Sequence, residues 1–233
     1  MVPEDALSAP VELEGGLHLT LLSPRAEQLK ILRDKWNEEL DKILNGKTVE
    51  EMLQVTPTAL QPDVLGEPNV EQLAKSRFEP DDSETNGSSI AFLAEFEDPF
   101  DGDRQKRVLF CGDAFSPVVE QSIRLLLAQR GADRLPIDAL KLSHHGSKSN
   151  TSADLLGLLR CRHFLFSTDG SKHSHPDPET IARILKSASG RIDLHFNYLT
   201  SRNKPWHAPK LTNRYDYEAH DPAEHEEGLA VSI

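Results

Sequence analysis

A chain of 233 residues is long enough for one substantial core, and its sequence holds no apolar run long enough to span a membrane. The formal net charge of −12 disfavours tight binding of a nucleic-acid backbone by the general field of the chain, while a phosphate ester in a metal site stays open because the ion would supply the positive charge. Two cysteines, Cys111 and Cys161, lie in apolar runs, make no disulfide framework, and accompany an N-terminus with no secretory pattern, so a cytoplasmic protein is expected.

Leu17 to Leu22 reads as a short strand. Ser23-Pro24 then offers an N-cap and a first-turn proline for a helix. In that helix Leu29, Leu32, Trp36, Leu40 and Ile43 recur at helical spacing as a core face, and Gly46 is its stop. Thr48 to Glu84 is rich in proline and acidic residues, with one short helix expected around Val70 to Lys75. Within it EPDDSETNGS has the composition of an unstructured segment. The chain thus divides into an opening strand and helix (1–46), a long linker or insertion (47–85) and a dense C-terminal part (86–233).

In that last part SSIAFLAEF reads as a strand, DPFDGDRQKR as a charged hairpin and VLFCG as the strand after it. Ser116-Pro117 opens a helix to Gln129 that Gly131 stops. IDALKLS is the next strand, and Thr151 or Ser152 caps a helix through Leu159. HFLFSTD is a strand, Asp177-Pro178 opens a helix closed by Gly190, and IDLHFNY and GLAVSI are the last strands. Strands alternating with helices predict a layered α/β (α+β) domain.

Three elements just past strands carry chemistry. VLFCGDA places Asp113 there, IDALKLSHHGSKSN places His144 and His145, and STDGSKHSHPDP places His173 and His175. Layered α/β proteins collect reactive groups at such strand ends. A carboxylate and imidazole nitrogens are apt ligands for zinc or a similar ion. Gly112 and Gly146 permit tight turns beside them, and Ser143 and Ser147 could bond a ring nitrogen or a bound molecule. Asp177 is expected to cap the helix after it, and Pro176 makes His175 the better ligand candidate of its loop.

The ordered run NGSSIAFL, VLFCGDA, LKLSHHGSKSN, STDGSKHSHPDPETIARIL is similar to the second half of metallo-β-lactamase-fold hydrolases. Within them it resembles the bacterial subfamily related to the hydrolase domain of competence DNA-uptake proteins. The resemblance covers roughly Leu17 to Ile233 and is specific from Asn86 to His175. It implies the second half of an αββα sandwich and a site for one or two ions, zinc or manganese. By resemblance Asp113 is the carboxylate that bridges two metals, and His175 is a ligand of the second. The pair His144 and His145 lines the site, with either of the two facing the metal. Asn86 lies where many relatives place a ligand histidine, so it is a candidate for a metal or substrate contact, with a turn role as the alternative.

The family opens with H-x-H-x-D-H, and here the one histidine before His144 is His18, inside a strand. His173 to Asp177 echoes that motif but ends in Pro178 and comes too late in the chain to be it. About half of the ligands are therefore expected. Either the first half sits on another chain or a cleaved segment, or the chain is a standalone remnant whose site has decayed. VELEGGLHLTLLSP reads like the interior of a domain, which favours the first.

The expected function is that of a phosphodiesterase- or nuclease-type hydrolase acting with a partner half. The alternative is a non-catalytic regulatory or assembly subunit, and an unrelated α/β monomer is a third reading. His195 is expected to be structural, and His207, His220 and His225 solvated. Lys148 is a surface lysine or an anion contact, and Trp206 packs or lines a pocket.

Overall fold

A computed structural model describes residues 6–46, 66–97, 105–223, 226 and 228–233. The chain runs β1 (Val11–Leu13), β2 (Leu17–Ser23), α1 (Ala26–Leu44), α2 (Val70–Ala74), α3 (Glu84–Gly87), β3 (Ala91–Glu97), β4 (Gln105–Phe110) and α4 (Ser116–Arg130). It continues through β5 (Leu135–Lys141), a 3-10 turn at Ser143–Gly146, α5 (Ala153–Gly157), β6 (Leu159–Phe166), α6 (Pro178–Ser187) and β7 (Ile192–Phe196). A 3-10 turn at Lys204–His207, α7 (Pro209–Tyr215) and β8 (Tyr217–His220) follow. The fold is a layered mixed α/β arrangement.

The eight strands among the described residues lie in one sheet, in chain order. The pairs from β1 to β4 are antiparallel, and those from β4 to β8 are parallel. The change of sense follows from the connections: each link from β4 onward contains a helix, as a parallel pair requires. Each crossover moves one strand in the same direction, so the common right-handedness of such units stacks the helices on one sheet face.

Register decides which side chains that face receives. Leu93, Leu109, Leu140, Phe164 and Leu194 are partners from strand to strand, and together they form one row across the sheet. Every member of the row is buried. Val119, Ile123, Leu126 and Leu127 of α4 and Ile181, Ile184 and Leu185 of α6 join the same core. The helix limits follow local chemistry. Ser152 accepts the Leu155 N–H at 2.8 Å to cap α5, and Gly131 ends α4 in the left-handed conformation, φ 61°. Cys111 is buried in this core, where burial pushes its thiol up to about 12.

Several expectations are corrected. Helix α1 begins at Ala26, after Arg25, whose N–H is accepted by Gln28 Oε1 at 3.3 Å, because Ser23 is still paired to Ala91 of β3. Its apolar stripe is no core face: it buries no residue, and Trp36 is 63% exposed. Helix α5 stops at Gly157 because Leu159 already pairs with Leu135. GLAVSI forms no strand, since the place beside β7 is taken by Tyr217–His220, reached through α7. EPDDSETNGS is ordered, held by hydrogen bonds to the Asp81 carboxylate. β4 begins at Gln105, inside the expected hairpin, whose tip at 98–104 lies outside the described residues. Trp206 packs: it is fully buried, and its carbonyl accepts the Tyr217 hydroxyl at 2.6 Å. Among the described residues no helix is long and apolar enough to cross a membrane.

Glu95 fastens the antiparallel part of the sheet to the end of α4. Its buried carboxylate accepts Arg107 Nε at 3.0 Å and Arg130 Nη1 at 2.9 Å. Burial pushes its carboxyl up, but the Arg130 and Arg107 guanidiniums outweigh that and hold it below the usual carboxylate range. A depressed carboxyl contributes stability that is present above its unfolded pKa and lost as pH falls through the lower folded value. Glu95→Gln should therefore cost about 2 kcal/mol near neutral pH, where it leaves both guanidiniums uncompensated. The loss should shrink below about pH 4, measured by urea denaturation across pH.

Candidate active site at the ends of strands β4 to β6

Strands β4, β5 and β6 are parallel neighbours, so their C-terminal ends open onto one edge of the sheet. That edge is where a layered α/β protein presents its loops. The loop after β4 carries Asp113, the turn after β5 carries His144 and His145, and the loop after β6 carries His173 and His175.

Gly112 makes the first loop fit. Its φ is +52°, and a Cβ there would stand 2.6 Å from both the Ile90 carbonyl oxygen and the Ser89 hydroxyl. In this tight path the Asp113 N–H donates to Ser89 Oγ at 2.9 Å and the Gly112 carbonyl accepts the His144 N–H at 2.9 Å. Asp113 thus stands beside the histidine turn, half-buried.

His144 and His145 both adopt left-handed backbone, φ 44° and φ 58°. Two consecutive β-carbon-bearing residues in that region cost about 1–2 kcal/mol each, a strain that persists only where surroundings impose it. Gly146 continues the turn at φ +93°, and a Cβ there would meet the Phe166 ring at 2.9 Å. The strained turn aims two imidazoles at the open edge.

His144 and His145 are each held through Nδ1, whereas the buried Nδ1 of His175 makes no hydrogen bond. His145 Nδ1 donates to the Ser167 carbonyl at 2.7 Å. His144 Nδ1 faces two acceptors, Asn150 Oδ1 at 3.3 Å and Asp81 Oδ2 at 3.6 Å, and one donor, the Asn86 amide, at 3.4 Å. His175 Nδ1 lies 3.4 Å from Asp177 Oδ2. A proton on Nδ1 leaves the lone pair on Nε2, the arrangement in which carboxylates and carbonyls prepare histidines for metal ligation. The His144 ring lies 6.2 Å from that of His145, 5.1 Å from that of His175 and 5.7 Å from that of the exposed His173.

Asp177 departs from its expected role. It occupies the N-cap position of α6, but its side chain caps nothing. The carboxylate instead accepts the Lys148 N–H at 2.8 Å and faces His175, while its own N–H donates to the Gly146 carbonyl at 3.1 Å. Burial pushes the Asp177 carboxyl up, and His175 and the Lys148 N–H bring it below the usual range. One residue therefore joins the β5 turn to the β6 loop.

Asp81 and Asn150 escaped the sequence reading. Asn150 is fully buried, and its amide donates to Asp81 Oδ2 at 3.0 Å and to the Asp113 carbonyl at 3.2 Å. Asp81 also accepts the Ser83 N–H at 2.9 Å and the Asn86 amide at 2.8 Å. Burial pushes its carboxyl up, but these donors and His144 hold it below the usual carboxylate range. Asn86 is thereby a brace: its amide also lies 3.4 Å from His144 Nδ1. Ser147 and Ser143 hold the turn, the first accepting the Ser149 N–H at 3.2 Å and the second donating to the Ala114 carbonyl at 2.8 Å. Lys148 Nζ is 3.2 Å from Glu179.

The other histidines fall elsewhere. His195 lies on β7 with its ring against His163 and His220. The expectation of solvated histidines is corrected for His220, which meets Asp193 at 3.1 Å, and for His207, half-buried at 2.9 Å from Asp221. His225 lies outside the described residues. The imidazoles at the open edge have the right donor chemistry for zinc, with Nδ1 of His144 and of His145 already engaged. Among the described residues, however, the group of three ligating side chains whose donor atoms all come within 4.8 Å of one another is Asp193, Glu218 and His220, on β7 and β8. Asp113, His144, His145 and His175 form no such group: the fold brings them to one edge without converging their donor atoms to that distance. A shallow cleft of about 550 Å³ lined by Arg107, Asp138, Arg160, Arg162 and Arg191 lies at the opposite strand ends, away from them.

Asn150→Ala should remove the common brace of Asp81, Asp113 and His144. It should cost about 1–3 kcal/mol, read by urea denaturation, because it removes one of the three donors to the half-buried Asp81 carboxylate and the Asn150 donor to the Asp113 carbonyl. Asp81→Asn should instead flatten the loss of stability on acidification, since a depressed carboxyl withdraws its contribution as pH falls through its folded pKa. Comparison with known proteins returned no matching family model, no matching curated protein and no matching solved structure.

Proposed function

We propose that this chain carries the second half of a metal-dependent hydrolase site of the metallo-β-lactamase type. It acts on a phosphodiester or related ester with a first half that brings the H-x-H-x-D-H ligands. The observation that carries the reading is the strained His144-His145 turn, with Nδ1 of both its histidines engaged, set beside His175 at the ends of parallel strands. Backbone strain at two adjacent histidines is a cost that packing alone does not require.

Zinc or manganese bound there would supply Lewis acidity and acidify water near neutral pH. The roles of the chain's own groups follow from their surroundings. Asp177, whose carboxylate lies 3.4 Å from His175 Nδ1, orients that ring. The Ser167 carbonyl does the same for His145, and Asp81 with Asn150 does so for His144. His144 or His145 completes the shell through its Nε2 lone pair or, as the imidazolium, gives a proton from Nε2 to the leaving group. Asp113, held by its main chain at the rim, offers the carboxylate that the resemblance assigns to bridging.

A second reading, a non-catalytic assembly subunit, rests on a different observation. On the sheet face away from the row Leu93–Leu194, Leu21, Phe96 and Phe110 are each more than a third exposed, and Phe110 stacks on Phe92. A contiguous apolar face of this kind favours association.

The two readings part on metal dependence. Under the first, equilibrium dialysis should show a zinc or manganese component that His175→Ala abolishes and Asp177→Asn weakens about 10–100-fold. Hydrolysis of an activated phosphodiester, measured with the first half present, should fall in parallel. A stable complex whose formation and properties ignore metal, with unchanged ion binding in His175→Ala, would leave only the assembly reading.

A further inference from the structure

The far side of the sheet carries a second ligating group. IDLHF and YEAH, the sequences of β7 and of β8, each hold an acid two residues before a histidine. Alternation in a strand puts such a pair on one face. Register then sets Asp193 beside Glu218 and His195 beside His220, with His163 of β6 beside Asp193. These residues alternate with Leu194 and Phe164 of the buried row, so they occupy the face opposite to it.

The donor atoms of Asp193, Glu218 and His220 all lie within 4.8 Å of one another. His220 Nε2 is 3.1 Å from Asp193 Oδ1, and His163 Nδ1 is 3.6 Å from Asp193 Oδ2 and 3.0 Å from His195 Nε2. A four-coordinate zinc ion with bonds of about 2.0–2.1 Å spaces its ligand atoms about 3.3 Å apart, so the 3.1 Å between His220 Nε2 and Asp193 Oδ1 suits two ligands of one ion, with a Glu218 oxygen within 4.8 Å of both as the third. We propose that Asp193, Glu218 and His220 form a divalent-metal site, suited to zinc by its mixed imidazole and carboxylate donors, with His163 orienting Asp193.

Competing partners are present. Arg162 pairs with Asp193 at 2.9 Å and Arg191 with Glu218 at 2.8 Å. Their side chains are 64% and 56% exposed, and ion pairs on such long, solvated side chains are weak enough to yield to an ion. Access is open as well, because β8 lies at the end of the sheet order and Glu218 is exposed. This site is separate from the one at Asp113, His144, His145 and His175 and does not depend on the hydrolase reading.

Zinc titration with elemental analysis, and the visible spectrum of the cobalt(II)-loaded protein, test it. One equivalent of zinc and its cobalt band should persist in His175→Ala, vanish in His220→Ala and weaken at least 10-fold in Glu218→Gln. Glu218→Gln changes an exposed side chain without altering its size, so it decides the matter if His220→Ala fails to fold. Zinc binding unchanged in Glu218→Gln, or lost only in His175→Ala, overturns the proposal. So does a protein that binds no zinc at all.

Discussion

The row Leu93, Leu109, Leu140, Phe164 and Leu194 is the constraint on which the rest of the molecule depends. A slip of one residue in any of these pairings would turn that strand's buried side chains to the other face. Burying a leucine or phenylalanine contributes about 1.5–3 kcal/mol, so each pairing is fixed by an energy comparable with a sizeable share of the stability of a whole domain. The same register sets the ends of β4, β5 and β6 at one edge. The loops bearing Asp113, His144, His145 and His175 inherit their proximity from it.

At that edge the order of causes runs from polar bracing to strain. Two adjacent left-handed histidines would relax if nothing held them. Asn150, fully buried, ties Asp81 and the Asp113 carbonyl to the back of His144. Asp177 ties the same turn, through the Lys148 N–H and the Gly146 carbonyl, to the loop of His175. The polar groups form a frame whose members are mostly satisfied by one another, and a buried network of that kind rigidifies its site. The frame accounts for how the imidazoles are presented. The substrate rests on the proposed reading.

The two sheet faces divide their work. One takes α4, α5 and α6 and the main core. The other is apolar over β2 to β4, at Leu21, Phe92, Phe96 and Phe110, and rich in titratable groups over β6 to β8, at His163, Asp193, His195, Glu218 and His220. Alternation along each strand produces both faces at once from the same short sequences.

The sequence by itself determined most elements and the layered α/β class, because strand alternation, proline at helix starts and Gly131 as a helix stop are local signals. It also singled out Asp113, His144, His145 and His175, since each follows a strand. It could not determine that α1 leaves its stripe exposed, that Asp177 abandons its cap for His175, or that Tyr217–His220 takes the place beside β7. Nor did it reveal Asp81, which sits in a stretch composed like a disordered one and is ordered by Asn150, 69 residues away in sequence. Those outcomes depend on which surfaces meet in three dimensions. Hydrogen-bond partners far apart in the chain leave no periodicity or composition by which they could be read, and only the folded sheet brings them together.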